Sequence, residues 1–324
     1  MRIPKRKMAV FFNKTAESCI IQSPRRLIFT HCSEAMEETG RYYADLVYNH
    51  GGTGILLKFE HKFFILTAQH VIGAHYEEPQ NESPFFTHIY AKRGWEEITD
   101  LGFPIRGWRI GELIEESSDH IDINDIVLVE LGDIYRYPDK FIDLDSHHAP
   151  KGIDIYRLYD GMLLVASGYP ISENPIDYPY SEKFNCTTVL KKSIRLGICT
   201  KFGSSYCLKF PDGATHEALN GMSGGIVSNV MPKANQAEWV GMIQKGGGGL
   251  IHFYPASWII PAIKRFRESS YYVIDPAQAL SDPHFQATPE VIEGRNRFYQ
   301  GIKSLTLRVL REQPRIAEQQ TTKA

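Results

Sequence analysis

The chain is poor in cysteine, with five in 324 residues: Cys19, Cys32, Cys186, Cys199 and Cys207. The set is odd and has no CxxC spacing, so neither a zinc site nor a disulfide framework is expected. Cys199 and Cys207 fall on neighbouring expected strands, and reduced structural thiols are the reading. Long apolar runs are also lacking. The basic start, with Arg2, Lys5, Arg6 and Lys7, is followed only by Met8 to Phe12 before Asn13 and Lys14. No secretory signal and no membrane span is expected, and a cytoplasmic location follows. Charge of one sign is missing too: 36 Lys and Arg stand against 38 Asp and Glu, a formal net charge of -2. A nucleic-acid partner would ordinarily bring a basic excess, so none is expected. No internal repeat is visible.

No cofactor or metal is expected either. His147 and His148 lie near Asp143 and Asp145 without a fixed ligand spacing, and read as a solvated loop. The run Gly246 to Gly249 lacks the strand-to-helix context of a phosphate loop and reads as a flexible lip. The acidic stretch Glu115 to Asp122 reads as a solvated loop.

What is abundant is aromatic and β-branched sequence, with 12% aromatic residues. Strand-like runs are Asp45–Tyr48, Gly54–Phe59, Lys62–Thr67, Ile126–Leu131, Met162–Ala166, Thr187–Ile198, Ser205–Phe210, Gly225–Ser228 and Trp239–Gln244. Many short strands parted by Gly, Pro, Asn and Asp predict an all-β barrel or sandwich. Glu60-His61 reads as the turn of a hairpin between the second and third runs. Helices are expected at 34–46, at 257–268 with Pro261 limiting its start, and at 289–310. The last has Thr288 as N-cap, Pro289 at its first position and a stripe of Val291, Phe298, Ile302, Leu305 and Val309. Within a C-terminal region of residues 271–324, Asp275 to Ala287 reads as a linker or surface arm and Gln313 to Ala324 as a polar tail.

Three segments carry chemistry. The run Phe64 to Val71 delivers His70 at a strand end, after small Thr67 and Ala68. In Asn124-Asp125-Ile126-Val127-Leu128 an aspartate opens a buried apolar strand, so its carboxylate can face an interior imidazole. In Asn220-Gly221-Met222-Ser223-Gly224-Gly225 a serine sits among glycines, whose backbone freedom lets N–H groups turn to a ligand. A serine hydroxyl is a weak nucleophile and needs a base. His70 would take its proton, Asp125 would orient the imidazole, and the N–H groups of Gly221 and Ser223 would form an oxyanion hole. Asp122 is the alternative for the aspartate. Gln244, Lys245 and Gly246 would pair with an extended substrate as an added strand.

On Leu66-Thr67-Ala68-Gln69-His70-Val71, Asn124-Asp125-Ile126-Val127-Leu128 and Gly221-Met222-Ser223-Gly224-Gly225, the chain resembles the trypsin-like (chymotrypsin-fold) serine peptidase family, in its bacterial branch. The resemblance spans about residues 45–266. It implies two six-stranded antiparallel β-barrels with the site in the cleft between them, inside a domain of about residues 45–270, flanked by an N-terminal extension and a C-terminal helix. It implies a serine endopeptidase acting on polypeptide through an acyl-enzyme. Met222 stands where zymogen-activated members carry an aspartate, so no N-terminal cleavage is expected to shape the oxyanion hole. Ile226 replaces a common proline. The resemblance also places Glu217 and His252, with His216, near the substrate pocket, where a histidine would favour an acidic residue. Two alternatives stand beside this reading: a protease effector activated by a regulatory protein partner, and a non-catalytic peptide-binding relative.

Overall fold

The computed structural model describes residues 17–31, 47–72, 87–89, 95–96, 100–116, 120–135, 140–174, 190–203, 205–231, 236–275, 288–290, 293–294, 296–297 and 300. In chain order the elements are α1 (Cys19–Gln22), β1 (Pro24–His31), β2 (Val47–Phe59), β3 (Lys62–Ala68), α2 (Gln69–Ile72), β4 (Thr87–Ile89), β5 (Trp95–Glu96) and β6 (Asp100–Trp108). Then follow β7 (Ile126–Tyr135), β8 (Ile142–Asp143), β9 (Leu163–Gly168), β10 (Leu190–Lys191), β11 (Ser193–Phe202), β12 (Ser205–Lys209) and α3 (His216–Leu219). The last are β13 (Ile226–Met231), β14 (Gln236–Gly247), β15 (Leu250–Pro255), α4 (Ala256–Lys264) and β16 (Tyr271–Val273).

The protein is mainly β. The second half forms one closed six-stranded antiparallel barrel, β11-β12-β15-β14-β13-β9. The first half is a partly curled eight-stranded sheet, β1-β4-β6-β7-β3-β2-β8, with β16 paired to β6 and β1 paired also to β2. Of the two expected six-stranded barrels, the second is therefore the one that is closed. Strands β1 and β16, from the expected N-terminal extension and the expected C-terminal region, both join the first sheet.

Binary patterning explains the layout. Along β15, Ile251 and Phe253 face the barrel interior with Leu164, Leu208 and Val227. Tyr254 faces the other way, as period-two alternation requires. With Ile226, Trp239 and Met242 it enters a second core shared with Leu57, Phe64, Leu66 and Leu128 of the first sheet. The two halves are thus joined by the outward face of the barrel. Helix α4 closes this core with Ile259, Ile260 and Ile263, and Phe266 just beyond it packs edge-on against Trp108 and Phe64 at 4.9 and 5.3 Å.

The expected hairpin is present: Phe59 pairs with Lys62 around Glu60 and His61. Both turn residues have positive φ, 50° and 62°, as the twist of a two-residue hairpin turn demands. The Asp145 carboxylate accepts both of their N–H groups, at 2.9 and 3.1 Å. Burial raises its pKa, but those two N–H bonds outweigh it and hold the carboxyl below its ordinary value. Asp143 pairs with Lys58 at 3.2 Å. The glycine run is a second tight hairpin, turning at Gly248 and Gly249 and pinned by Phe210 N–H donating to the Gly249 carbonyl at 2.9 Å.

The helix expected at 257–268 runs Ala256–Lys264 with Pro261 in its interior, followed by a 3-10 turn at Phe266–Glu268. It starts upstream of the proline because Pro255 already sets the entry dihedral. The helix expected at 34–46 lies outside the described residues. So does the stripe expected on the last helix, of which residues 289–290, 293–294, 296–297 and 300 are helical.

Candidate active site

Strand β3 is buried from Phe64 to Ala68 and passes directly into α2, so His70 emerges in the first turn while Val71 and Ile72 pack inward. The His70 side chain is half exposed, at 51%. Asp125 ends a 3-10 turn at Ile123–Asp125, capped by Asp122, whose Oδ1 accepts the Asn124 N–H at 3.0 Å. Strand β7 follows at once and pairs Ile126 with Ala68. That register sets aspartate beside histidine. Asp125 Oδ1 accepts the His70 backbone N–H at 2.8 Å, and Oδ2 lies 2.8 Å from Nδ1. A carboxylate only accepts, so Nδ1 carries a proton and the neutral ring keeps its lone pair on Nε2. Asp125 makes this pair, and Asp122 serves as the cap.

The serine lies in a tight loop between α3 and β13. Met222 N–H donates to Leu219 O at 3.1 Å, Gly225 N–H to Met222 O at 2.8 Å, and Gly224 N–H to Ile243 O at 2.8 Å. Gly221 and Ser223 contribute their carbonyls to the loop instead. The Gly221 carbonyl accepts from Thr53 Oγ1 at 2.8 Å, and the Ser223 carbonyl from Thr53 N–H at 3.0 Å. The N–H directions follow from peptide planarity, because N–H and C=O of one trans peptide point opposite ways. The Asn220 carbonyl is fixed inward by the Ile171 N–H at 2.8 Å, so the Gly221 N–H is turned away from Ile171. The Met222 carbonyl is fixed by Gly225, so the Ser223 N–H is turned away from the loop. Neither N–H has a backbone acceptor among the described residues. Gly221 needs its φ of +92°, and a Cβ there would meet the Tyr169 carbonyl at 2.8 Å.

Thr53 ties the two halves of the site together. It is fully buried, and besides its bonds to Gly221 and Ser223 it accepts the Tyr169 N–H at 2.9 Å and the Thr67 hydroxyl at 2.8 Å. Close to it, a Cβ on Gly52 would lie 3.1 Å from Val71 methyls and 3.3 Å from the Ser223 carbonyl. The histidine turn and the serine loop therefore meet at one seam. No hydrogen bond joins the Ser223 hydroxyl to the His70 ring among the described residues.

The residues expected to hold substrate lie on α3, β14 and β15. A bulge between Ile243 and Lys245 breaks the β14–β15 register, and the Gln244 side chain is buried. Lys245 is exposed and pairs with His252 across the hairpin. The Gly246 carbonyl accepts from His216 Nδ1 at 2.9 Å, so this carbonyl is already engaged. Glu217 is exposed on α3. The half-buried His252 ring meets Phe202 edge-on at 5.5 Å and His120 at 6.3 Å. Burial first, then the charge of Lys245 and His120, lowers its pKa and favours the uncharged ring.

No family model matches the chain, and no curated protein matches it. Among the described residues no helix is long and apolar enough to cross a membrane.

Proposed function

We propose that the chain is a serine endopeptidase of the trypsin-like kind, cutting polypeptide through an acyl-enzyme. One observation carries the reading: the Asp125–His70 pair sits at the seam where a serine loop turns two backbone N–H groups outward. In that arrangement His70 Nε2 removes the Ser223 proton as Oγ attacks the scissile carbonyl. Asp125 holds the proton on Nδ1 and stabilises the imidazolium. The N–H groups of Gly221 and Ser223 receive the developing oxyanion, each contributing about 2.7–4 kcal/mol to the transition state by comparison with measured donors. His70 then returns the proton to the leaving amine, and water repeats the cycle on the acyl-serine.

The strand circuit supports the two-barrel form of this reading. Pairings run β1-β4-β6-β7-β3-β2 in the partly curled first sheet, and β1 pairs also with β2, the succession of six strands that a first barrel would use. The test is a fluorophosphonate probe. The purified chain should be labelled at one serine, with labelling abolished in Ser223→Ala and reduced at least a thousandfold in His70→Ala. A folded wild-type chain that takes no label overturns the reading.

A further inference from the structure

Tyr254 reaches the triad from the half of the molecule that does not carry Asp125. Its ring is fully buried in the shared core beside Ile126, Leu128, Trp239 and Met242. Its hydroxyl lies 2.6 Å from the Asp122 carbonyl and 3.3 Å from Asp125 Oδ2. A core tyrosine needs one acceptor, and the Asp122 carbonyl supplies it. The hydroxyl has one proton, so its longer approach to the carboxylate oxygen that faces His70 Nδ1 is the minor arm of a three-centre bond whose major arm is the Asp122 carbonyl.

We propose that Tyr254 is a positioning residue: its hydroxyl locks the 122–125 turn and the Asp125 carboxylate from the opposite half, so that both carboxylate oxygens stay aimed at His70. The catalytic part of this proposal rests on the serine endopeptidase reading. The geometry gives it a clear role. Asp125 Oδ1 faces the His70 backbone N–H and, at 3.0 Å, its Nδ1, whereas among the described residues Oδ2 meets the moving imidazole and Tyr254. When the ring takes up and passes on its proton, the hydroxyl is the fixed point. Burial, then the adjoining Asp125 carboxylate, pushes the phenol far above its ordinary pKa, so the hydroxyl keeps its proton throughout the working range.

The experiment compares wild type, Tyr254→Phe and Asp122→Ala. Turnover of a peptide substrate is read beside the solvent-exchange rate of the His70 Nδ1–H resonance. Tyr254→Phe should lower kcat about tenfold, the equivalent of one hydrogen bond, with KM little changed. It should also speed exchange of the Nδ1 proton. Asp122→Ala removes the turn's side-chain cap but keeps the hydroxyl, and should leave that exchange rate near wild type. Wild-type exchange in Tyr254→Phe, or equal acceleration in both variants, overturns the proposal. If Tyr254→Phe does not fold, 3-fluorotyrosine at position 254 keeps the shape and strengthens the donor; an unmoved His70 resonance then overturns it. Absence of probe labelling in wild type would sink the endopeptidase reading separately, because the Nδ1 measurement needs no turnover.

Discussion

Gly224 has a φ of +81°, and a Cβ on it would lie 1.8 Å from the Thr53 carbonyl and 2.4 Å from Thr67 Oγ1. Backbone cannot move aside there without dragging β2 off the serine loop. Gly213 has a similar φ of +66° with nothing within 4 Å. The pair therefore separates dihedral strain from collision. Gly213→Ala should cost only about 1–2 kcal/mol, the strain of a left-handed residue. Gly224→Ala should cost more than about 4 kcal/mol, in the range of severe core lesions, and abolish probe labelling. Urea melts of the two variants decide this; equal losses would show that the Thr53 contact is soft. At this scale the sequence was informative where chemistry is local. His70, Asp125 and Ser223 stand out because each is set in a short run of apolar or glycine residues whose pattern needs a reason. Thr53 and Tyr254 carry no such mark. Their partners lie 168 and 129 residues away along the chain, and only the folded seam gives them a role.

Strands built on a continuous apolar run were legible, and those interrupted by breakers or charges were not. Strand β7 is a continuous apolar run from Ile126 to Leu128, and β3 reads as one too. Strand β6 contains Gly102, Pro104 and Gly107, each a breaker in sequence, yet it is a nine-residue strand whose bulges around Pro104 absorb the missing donor. Strand β1 begins Pro24-Arg25-Arg26, which no pattern rule would send inside. Both arginines are buried. Arg25 is satisfied by carbonyls, at 2.6 Å from Gln22 and 2.9 Å from Lys140 among others, so its charge is solvated by backbone. The segment after α4 was likewise opaque, since its value lies in one ring. Phe266 touches Phe59, Phe64 and Trp108. Phe266→Ala should lower stability by about 3–5 kcal/mol, as for a buried aromatic truncation, without altering the serine loop. A thermal melt together with probe labelling at low temperature checks this. A variant that melts like wild type would show that α4 is only loosely docked.

Across the whole molecule the closed barrel protects its thiols. Cys199 lies opposite Leu208 in the barrel interior, while Cys207 lies opposite Thr200 on the alternate face. The two cannot form a disulfide without turning a strand over. Burial, then the neighbouring Cys207 and Asp160, pushes the Cys199 thiol up to about 12. A thiol reagent at pH 8 meets almost no thiolate there. Cys199 should stay unmodified in the native protein and react once urea opens the barrel, as followed by peptide mass mapping. Rapid native labelling would show that the barrel opens locally. The outer frame has a different consequence. The first sheet takes β1 near one end of the described chain and β16 near the other, and its core waits for Ile259, Ile263 and Phe266. A ribosome synthesising this chain delivers most of the first sheet early and its last strand only after the whole barrel. The amino-terminal half must therefore remain unfinished, its seam with the serine loop unassembled, until the barrel has emerged.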